Sequence, residues 1–252
     1  MKTYCIAIDG PAGAGKTTTA KAVAQSLTPV MPFYYVDTGA FYRALTWYIL
    51  TMKQDIYVPA TGYIHEDMLS GFMAYDPLAL RAEWSGNNRQ QMFVNNRLVF
   101  DGDLRTEFIS QAASRFSTLP QIREIVTDTI RRETSLYNTV MEGRDTGTNI
   151  RKDADCKIFL TADADVRARR RCLQLLDMAT PDKPIIVDTG VIQKDIQTRD
   201  ERDTNREHAP LRIDEDAIII DNTHRTVNQT VDTVLFAAAY RGIPVLPCLQ
   251  DK

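Results

Sequence analysis

One loop near the N-terminus limits what this chain can fold into more than any other stretch. Gly10-Pro11-Ala12-Gly13-Ala14-Gly15-Lys16-Thr17 fits G-x-x-x-x-G-K-[ST] in full. Gly10, Gly13 and Gly15 allow the backbone to curl so that its N–H groups point inward at phosphate oxygens. Lys16 then reaches the β- and γ-phosphates and Thr17 offers a hydroxyl to Mg²⁺, while Pro11, Ala12, Ala14 and Thr18 complete the loop. Tyr4 to Ile8 reads as a short apolar strand and Thr17 to Leu27 as an alanine-rich helix, the context that the motif requires. The helix N-terminus adds its positive dipole end to the same site. A strand, a phosphate loop and a helix in this order point to an open α/β sheet with its ligands at the C-terminal ends of the strands.

At 252 residues and 44% hydrophobic content, the chain has room for one substantial α/β domain with a smaller insert. A formal net charge of −3 argues against a generally basic, nucleic-acid-coating surface, so an anionic ligand has to be met by placed arginines. Cys5, Cys156, Cys172 and Cys248 are scattered without metal-ligand spacing and read as reduced, mostly buried thiols of a cytoplasmic protein. The N-terminus has no apolar leader and no run approaches the length of a membrane span, so neither export nor a membrane partner is expected.

Further strands are expected at Phe33 to Val36, Thr139 to Met141, Lys157 to Leu160 and Ala217 to Asp221, the last central because it is apolar throughout. The first of these delivers Asp37-Thr38-Gly39-Ala40-Phe41-Tyr42-Arg43. Asp37 there is equally compatible with a plain helix N-cap, leaving Arg43 on a solvated face. Gln54 to Asp103 breaks the strand–helix alternation: Asn95-Asn96 between two β-prone runs predicts a tight hairpin and a small antiparallel sheet inserted into the main fold. Helical periodicity returns through Phe108, Ile109, Ala112, Ala113 and Phe116, and after Pro120 through Ile122, Ile125, Val126 and Ile130. By pattern alone Ser114 and Arg123 on these helices read as ordinary exposed residues. Arg167, Arg169, Arg170 and Arg171 form a basic run compatible with a solvated face, and Pro181 to Val187 reads as a hinged lid loop. Arg199, Arg202 and Arg206 project from roughly one face of the next helix; Asp200, Glu201, Asp203 and Glu207 could neutralise them, or they await phosphates.

Taken together, the phosphate loop, Asp37 to Arg43, Gln111-Ala112-Ala113-Ser114, Pro120-Gln121-Ile122-Arg123, Gly143-Arg144-Asp145-Thr146-Gly147-Thr148 and Arg199-Asp200-Glu201-Arg202-Asp203-Thr204-Asn205-Arg206 resemble bacterial-type cytidylate kinases. The match spans most of the chain in the right order. The resemblance implies a three-layer P-loop fold: a five-stranded parallel sheet flanked by helices, with a small antiparallel β insert and a mobile lid. It divides the chain into a kinase core (1–53 and 104–252, with the lid at about 177–206) and an inserted nucleoside-monophosphate-binding subdomain (54–103). It implies a monomeric enzyme using ATP and Mg²⁺ to phosphorylate CMP or dCMP. The acceptor would be held by Thr38, Arg43, Ser114, Arg123, Arg144, Asp145, Arg199, Asp203 and Arg206. Thr38 stands where the family often has serine, and the insert resembles the family only loosely.

Phosphoryl transfer needs alignment, exclusion of water and cations that spread charge, which suits the fork of arginine. Lys16, Arg144, Arg202 and Arg206 are the expected catalytic cations, with Arg202 and Arg206 arriving as the lid closes. A kinase for another small acceptor, such as UMP, AMP or shikimate, would share the loop. A GTP-driven switch is disfavoured because no D-x-x-G follows the loop and no N-K-x-D occurs.

Overall fold

The computed structural model describes residues 2–52, 57–58, 63–65, 67, 69, 79–86, 88–177 and 187–246. In chain order the strands are β1 (Cys5–Asp9), β2 (Phe33–Asp37), β3 (Tyr57–Val58), β4 (Tyr63–Ile64), β5 (Leu80–Ser85), β6 (Arg89–Val94), β7 (Arg97–Val99), β8 (Asn138–Gly143), β9 (Cys156–Thr161) and β10 (Ile218–Asp221). The helices are α1 (Lys16–Leu27), α2 (Thr38–Met52), α3 (Asp101–Leu104), α4 (Glu107–Phe116), α5 (Pro120–Thr134), α6 (Ala164–Asp177), α7 (Thr189–Asn205) and α8 (Val227–Tyr240). A π-helical turn spans Thr146–Ile150.

The apolar runs pair into one parallel sheet of order β10-β9-β1-β8-β2. β1 is buried along its whole length, because helices cover both faces of the sheet. Val36, Met141, Phe41, Leu45, Phe116 and Val126 pack on one face; Ile6, Ile8, Val140, Ile158, Val23 and Val234 pack on the other. The strand expected to be central lies at an edge: β10 pairs only with β9 among the described residues, and Ile219 is 56% exposed. A run of three isoleucines satisfies β propensity at an edge as well as at the centre, and the crossover order, not the run, fixes its place. Cys5, Cys156 and Cys172 are buried free thiols, as expected; Cys248 lies outside the described residues.

The hairpin at Asn95-Asn96 forms as predicted. Both residues take left-handed backbone (φ 48° and 62°), the requirement of a type I′ turn, and join β6 to β7 in a three-stranded antiparallel sheet with β5. This sheet docks on the free edge of β2 through side chains. Asn88 accepts from the Tyr35 N–H (3.0 Å) and donates to the Phe33 carbonyl (2.7 Å). Gln90 accepts from the Asp37 N–H (2.7 Å) and the Trp84 indole donates to the Tyr35 carbonyl (2.7 Å). An edge strand that would otherwise present unpaired groups is thereby closed. Within the lid range of about 177–206, residues 178–186, and with them Pro181 to Ile186 of the loop, lie outside the described residues; Thr189–Asn205 is helical.

Candidate active site

The C-terminal ends of all five parallel strands feed one region, where open α/β sheets place ligands. β1 delivers the phosphate loop, β2 delivers Asp37 and Thr38, and β8 delivers Arg144 and Asp145. β9 leads to Arg167 and β10 to Asn222.

The loop needs its glycines. Gly10 lies so close to β9 that a Cβ there would stand 2.0 Å from the Leu160 carbonyl oxygen, and Gly15 caps α1 in the left-handed region (φ 88°). Helix geometry leaves the first-turn N–H groups of α1 without intrahelical acceptors. Lys16 is buried and donates to the Pro11 carbonyl (2.7 Å). Burial, helped by neighbouring Arg144, lowers its ammonium to about 7. Thr17 donates its hydroxyl to Glu142 (2.5 Å), which also accepts from the Tyr35 phenol (3.0 Å). Thr38 donates to the Glu142 carbonyl (2.8 Å). Thr18 is exposed.

The loop is held from above by α6 and α7. Asp200 accepts from the Ala12 N–H (2.8 Å) and pairs with Arg167, which donates to the Ala12 carbonyl (2.8 Å). Asn222 donates to the Ala14 carbonyl (2.8 Å) while Arg170 grips both its side-chain and backbone oxygens (2.9 and 2.8 Å). The basic run therefore turns two of its arginines inward to the loop instead of forming a wholly solvated face.

On the other side, carboxylates gather the remaining arginines. Arg144 donates to Asp203 (2.8 Å), Arg206 lies 3.7 Å from Asp203 and 3.0 Å from Asp145, and Arg123 pairs with Asp145. Arg123 is buried, contrary to its reading as an exposed helix residue: it also donates to the Ser117 carbonyl (2.9 Å), and its guanidinium lies over the Tyr42 ring. Asp203 is likewise buried between Arg144 and Arg206 instead of neutralising a surface row. Arg206 is already buried on Asp145, and Arg202 donates to Ser114 (2.7 Å) across from α7 to α4. Arg199 pairs with Glu107. Asp37 accepts the Ala40 N–H (3.1 Å) as a cap, but Arg43 does not lie on a solvated face: it pairs with Asp37 (2.6 Å), as does Arg105 (3.1 Å). Burial pushes its carboxyl up, but the two guanidiniums outweigh this and hold it below the usual carboxylate range.

Sequence reasoning assigned no role to Glu142 or Asp9, nor to Glu107, Arg105 and Asn222. The available signal for the first two was position, a carboxylate at the C-terminal end of an apolar strand in a nucleotide-binding sheet.

Residues 6–239 match the family model described as cytidylate kinase. The chain belongs to the cytidylate kinase family. It is 37% identical over 240 residues to the cytidylate kinase of Alkaliphilus oremlandii, covering 93% of this chain and 97% of that protein. To those of Carboxydothermus hydrogenoformans and Alkaliphilus metalliredigens it is 36% and 34% identical, covering 91% of this chain and 95% and 94% of theirs. Among solved structures it is similar to a shikimate kinase from Bacteroides thetaiotaomicron (TM-score 0.39, 14% identity, 92% of this chain and 96% of that one). As a member of the cytidylate kinase family the chain is a nucleotide-binding phosphotransferase, with ATP as the donor that a kinase implies. Among the described residues no helix is long and apolar enough to cross a membrane.

Proposed function

We propose that this enzyme transfers the γ-phosphoryl group of ATP to CMP or dCMP, giving ADP and CDP or dCDP, as a cytoplasmic monomer. The observation that carries the reading is the continuous ionic chain Arg144–Asp203–Arg206–Asp145–Arg123, which begins beside Lys16 of the phosphate loop. It sets fixed cations next to a donor-phosphate cradle and holds the buried Asp145 carboxylate between its last two arginines.

In this reading Lys16 and backbone N–H groups of Gly13 to Thr18 hold the donor phosphates. A phosphate beside Lys16 would favour its charged form, offsetting the burial that lowers it. The Thr17 hydroxyl and the Glu142 oxygen 2.5 Å from it are hard donors of the kind Mg²⁺ takes. When bound, Mg²⁺ neutralises charge on the β- and γ-oxygens. Arg43, Arg123 and Arg144 grip the acceptor phosphate, and Arg202 and Arg206 face the transferring group. Thr38, Ser114, Arg199 and Asp203 position the nucleoside. The segment 54–103 forms the acceptor-binding subdomain and about 177–206 the lid.

Asp145 supplies the base preference. A carboxylate accepts hydrogen bonds and donates none, so it suits the exocyclic amine of cytosine and opposes the carbonyl that uracil presents there. Losing that hydrogen bond costs roughly 1–3 kcal/mol, about a fivefold to 150-fold preference. The test is ADP release with ATP and Mg²⁺ against CMP, dCMP, UMP, AMP and GMP in parallel. CMP and dCMP are expected to lead UMP by about that factor; equal rates with UMP or AMP would remove the assignment of Asp145.

A further inference from the structure

Asp9 ends β1 immediately before Gly10, the first glycine of the phosphate loop. Its side chain points to the turn after β8. One carboxylate oxygen accepts the Thr146 N–H and the other the Gly147 N–H, both at 2.8 Å. Those amides open the π-helical turn Thr146–Ile150, and the two residues before that turn are Arg144 and Asp145.

The strand register makes this contact more than a local cap. β1 and β8 pair in parallel up to Asp9↔Gly143, where the backbone ladder ends. From there one chain enters the phosphate loop and the other enters the turn bearing Arg144 and Asp145. The Asp9 carboxylate extends the connection by two further bonds across the point where they part. Packing leaves the turn little alternative: a Cβ on Gly143 would stand 2.5 Å from both the Thr146 and Thr38 hydroxyls and 3.7 Å from an Asp9 oxygen. Asp9 is 5% exposed, and burial pushes its carboxyl up to about 6 against the pull of the two amides. The groups charged around it are Asp145, which adds to that rise, and Lys16.

We propose that Asp9 is a positioning residue for the acceptor: by holding the Thr146 and Gly147 amides it fixes where Arg144 and Asp145 stand relative to the phosphate loop. This rests on the assignment of Arg144 and Asp145 to the acceptor. Asp9 acts through the turn, whose two amides its carboxylate holds.

The test separates the two halves of the site. In Asp9→Asn the side chain keeps its size but has one oxygen for two diverging amides, and its NH₂ group opposes the other. Calorimetric titration of wild type and variant with CMP and, separately, with ADP reads the result. Loss of CMP affinity by about tenfold or more is expected, because a hydrogen bond to a charged group such as Arg144 or Asp145 is worth roughly that factor. ADP affinity is expected to change far less, because the substitution leaves Lys16 and the backbone N–H groups of the phosphate loop in place. Parallel loss of both affinities, loss for ADP alone, or no change in either overturns the proposal. Should Asp9→Asn not give folded protein, Asp9→Ser, with one small hydroxyl acceptor, is read in the same way. Failure of wild type to bind CMP would instead overturn the acceptor assignment, so the two failures are distinct.

Discussion

Arg202→Ala is expected to lower turnover with CMP by about 10³-fold or more, the range seen when a cation facing a transferring phosphoryl group is removed. Its guanidinium crosses from α7 to the Ser114 hydroxyl on α4, four residues before Arg206 of the ionic chain. Arg202 is only partly buried, so its loss leaves no cavity in the core and the melting temperature should change little. Michaelis constants for ATP and CMP should also change little, because an interaction made only in the transition state lowers turnover without weakening ground-state binding. Steady-state kinetics on the variant check this. Near-normal turnover would exclude the role assigned to Arg202, and a raised CMP constant with unchanged turnover would make it a ground-state contact.

Asp145→Ala is expected to act on the fold as well as on the acceptor. The carboxylate lies between Arg123 and Arg206, with side chains only 5%, 5% and 4% exposed, and it also accepts from the Asn149 amide (3.0 Å). Removing it leaves two guanidiniums in a dry site with a single oxyanion fewer to face. Breaking a buried pair in this way costs about 3–5 kcal/mol, a large part of the roughly 5–15 kcal/mol that holds a domain folded. Urea unfolding measures it. Asp145→Asn retains the shape and one acceptor oxygen, so it should unfold closer to wild type while losing preference for CMP over UMP. Wild-type stability in Asp145→Ala would mean that Arg123 and Arg206 find other partners and that Asp145 does not organise the cluster.

Both predictions depend on contacts of different legibility in the sequence. The phosphate loop and the Asn95-Asn96 turn are local: a few adjacent residues determine backbone conformation, and the glycines and asparagines at positive φ stand where the pattern puts them. Strands likewise follow from apolar runs. Their order does not, which is why β10 could be read as central although it closes an edge. Charged residues were harder still. Arg123 looks exposed on a helix until Asp145, 22 residues away, is folded against it, and Arg199 finds Glu107 across 92 residues. Pattern within a helix reports which face is apolar, but says nothing of a carboxylate that arrives from another element. Asp9 and Glu142 illustrate the same limit, because each is one acidic residue at the end of an apolar strand whose partner lies on another element, the π-helical turn for Asp9 and α1 for Glu142.

The central claim is that the terminal phosphoryl of ATP passes to a cytidine nucleotide held by the ionic chain, not to water. Incubating the enzyme with ATP labelled at the γ-phosphate, Mg²⁺ and CMP, and separating the products, tests this directly. The account predicts that the label appears in the terminal phosphate of CDP, in step with ADP, and that little is released as inorganic phosphate when CMP is omitted. Label recovered mainly as inorganic phosphate whether or not CMP is present would contradict it: the phosphate loop would then serve hydrolysis, and the arginine–aspartate chain some other ligand.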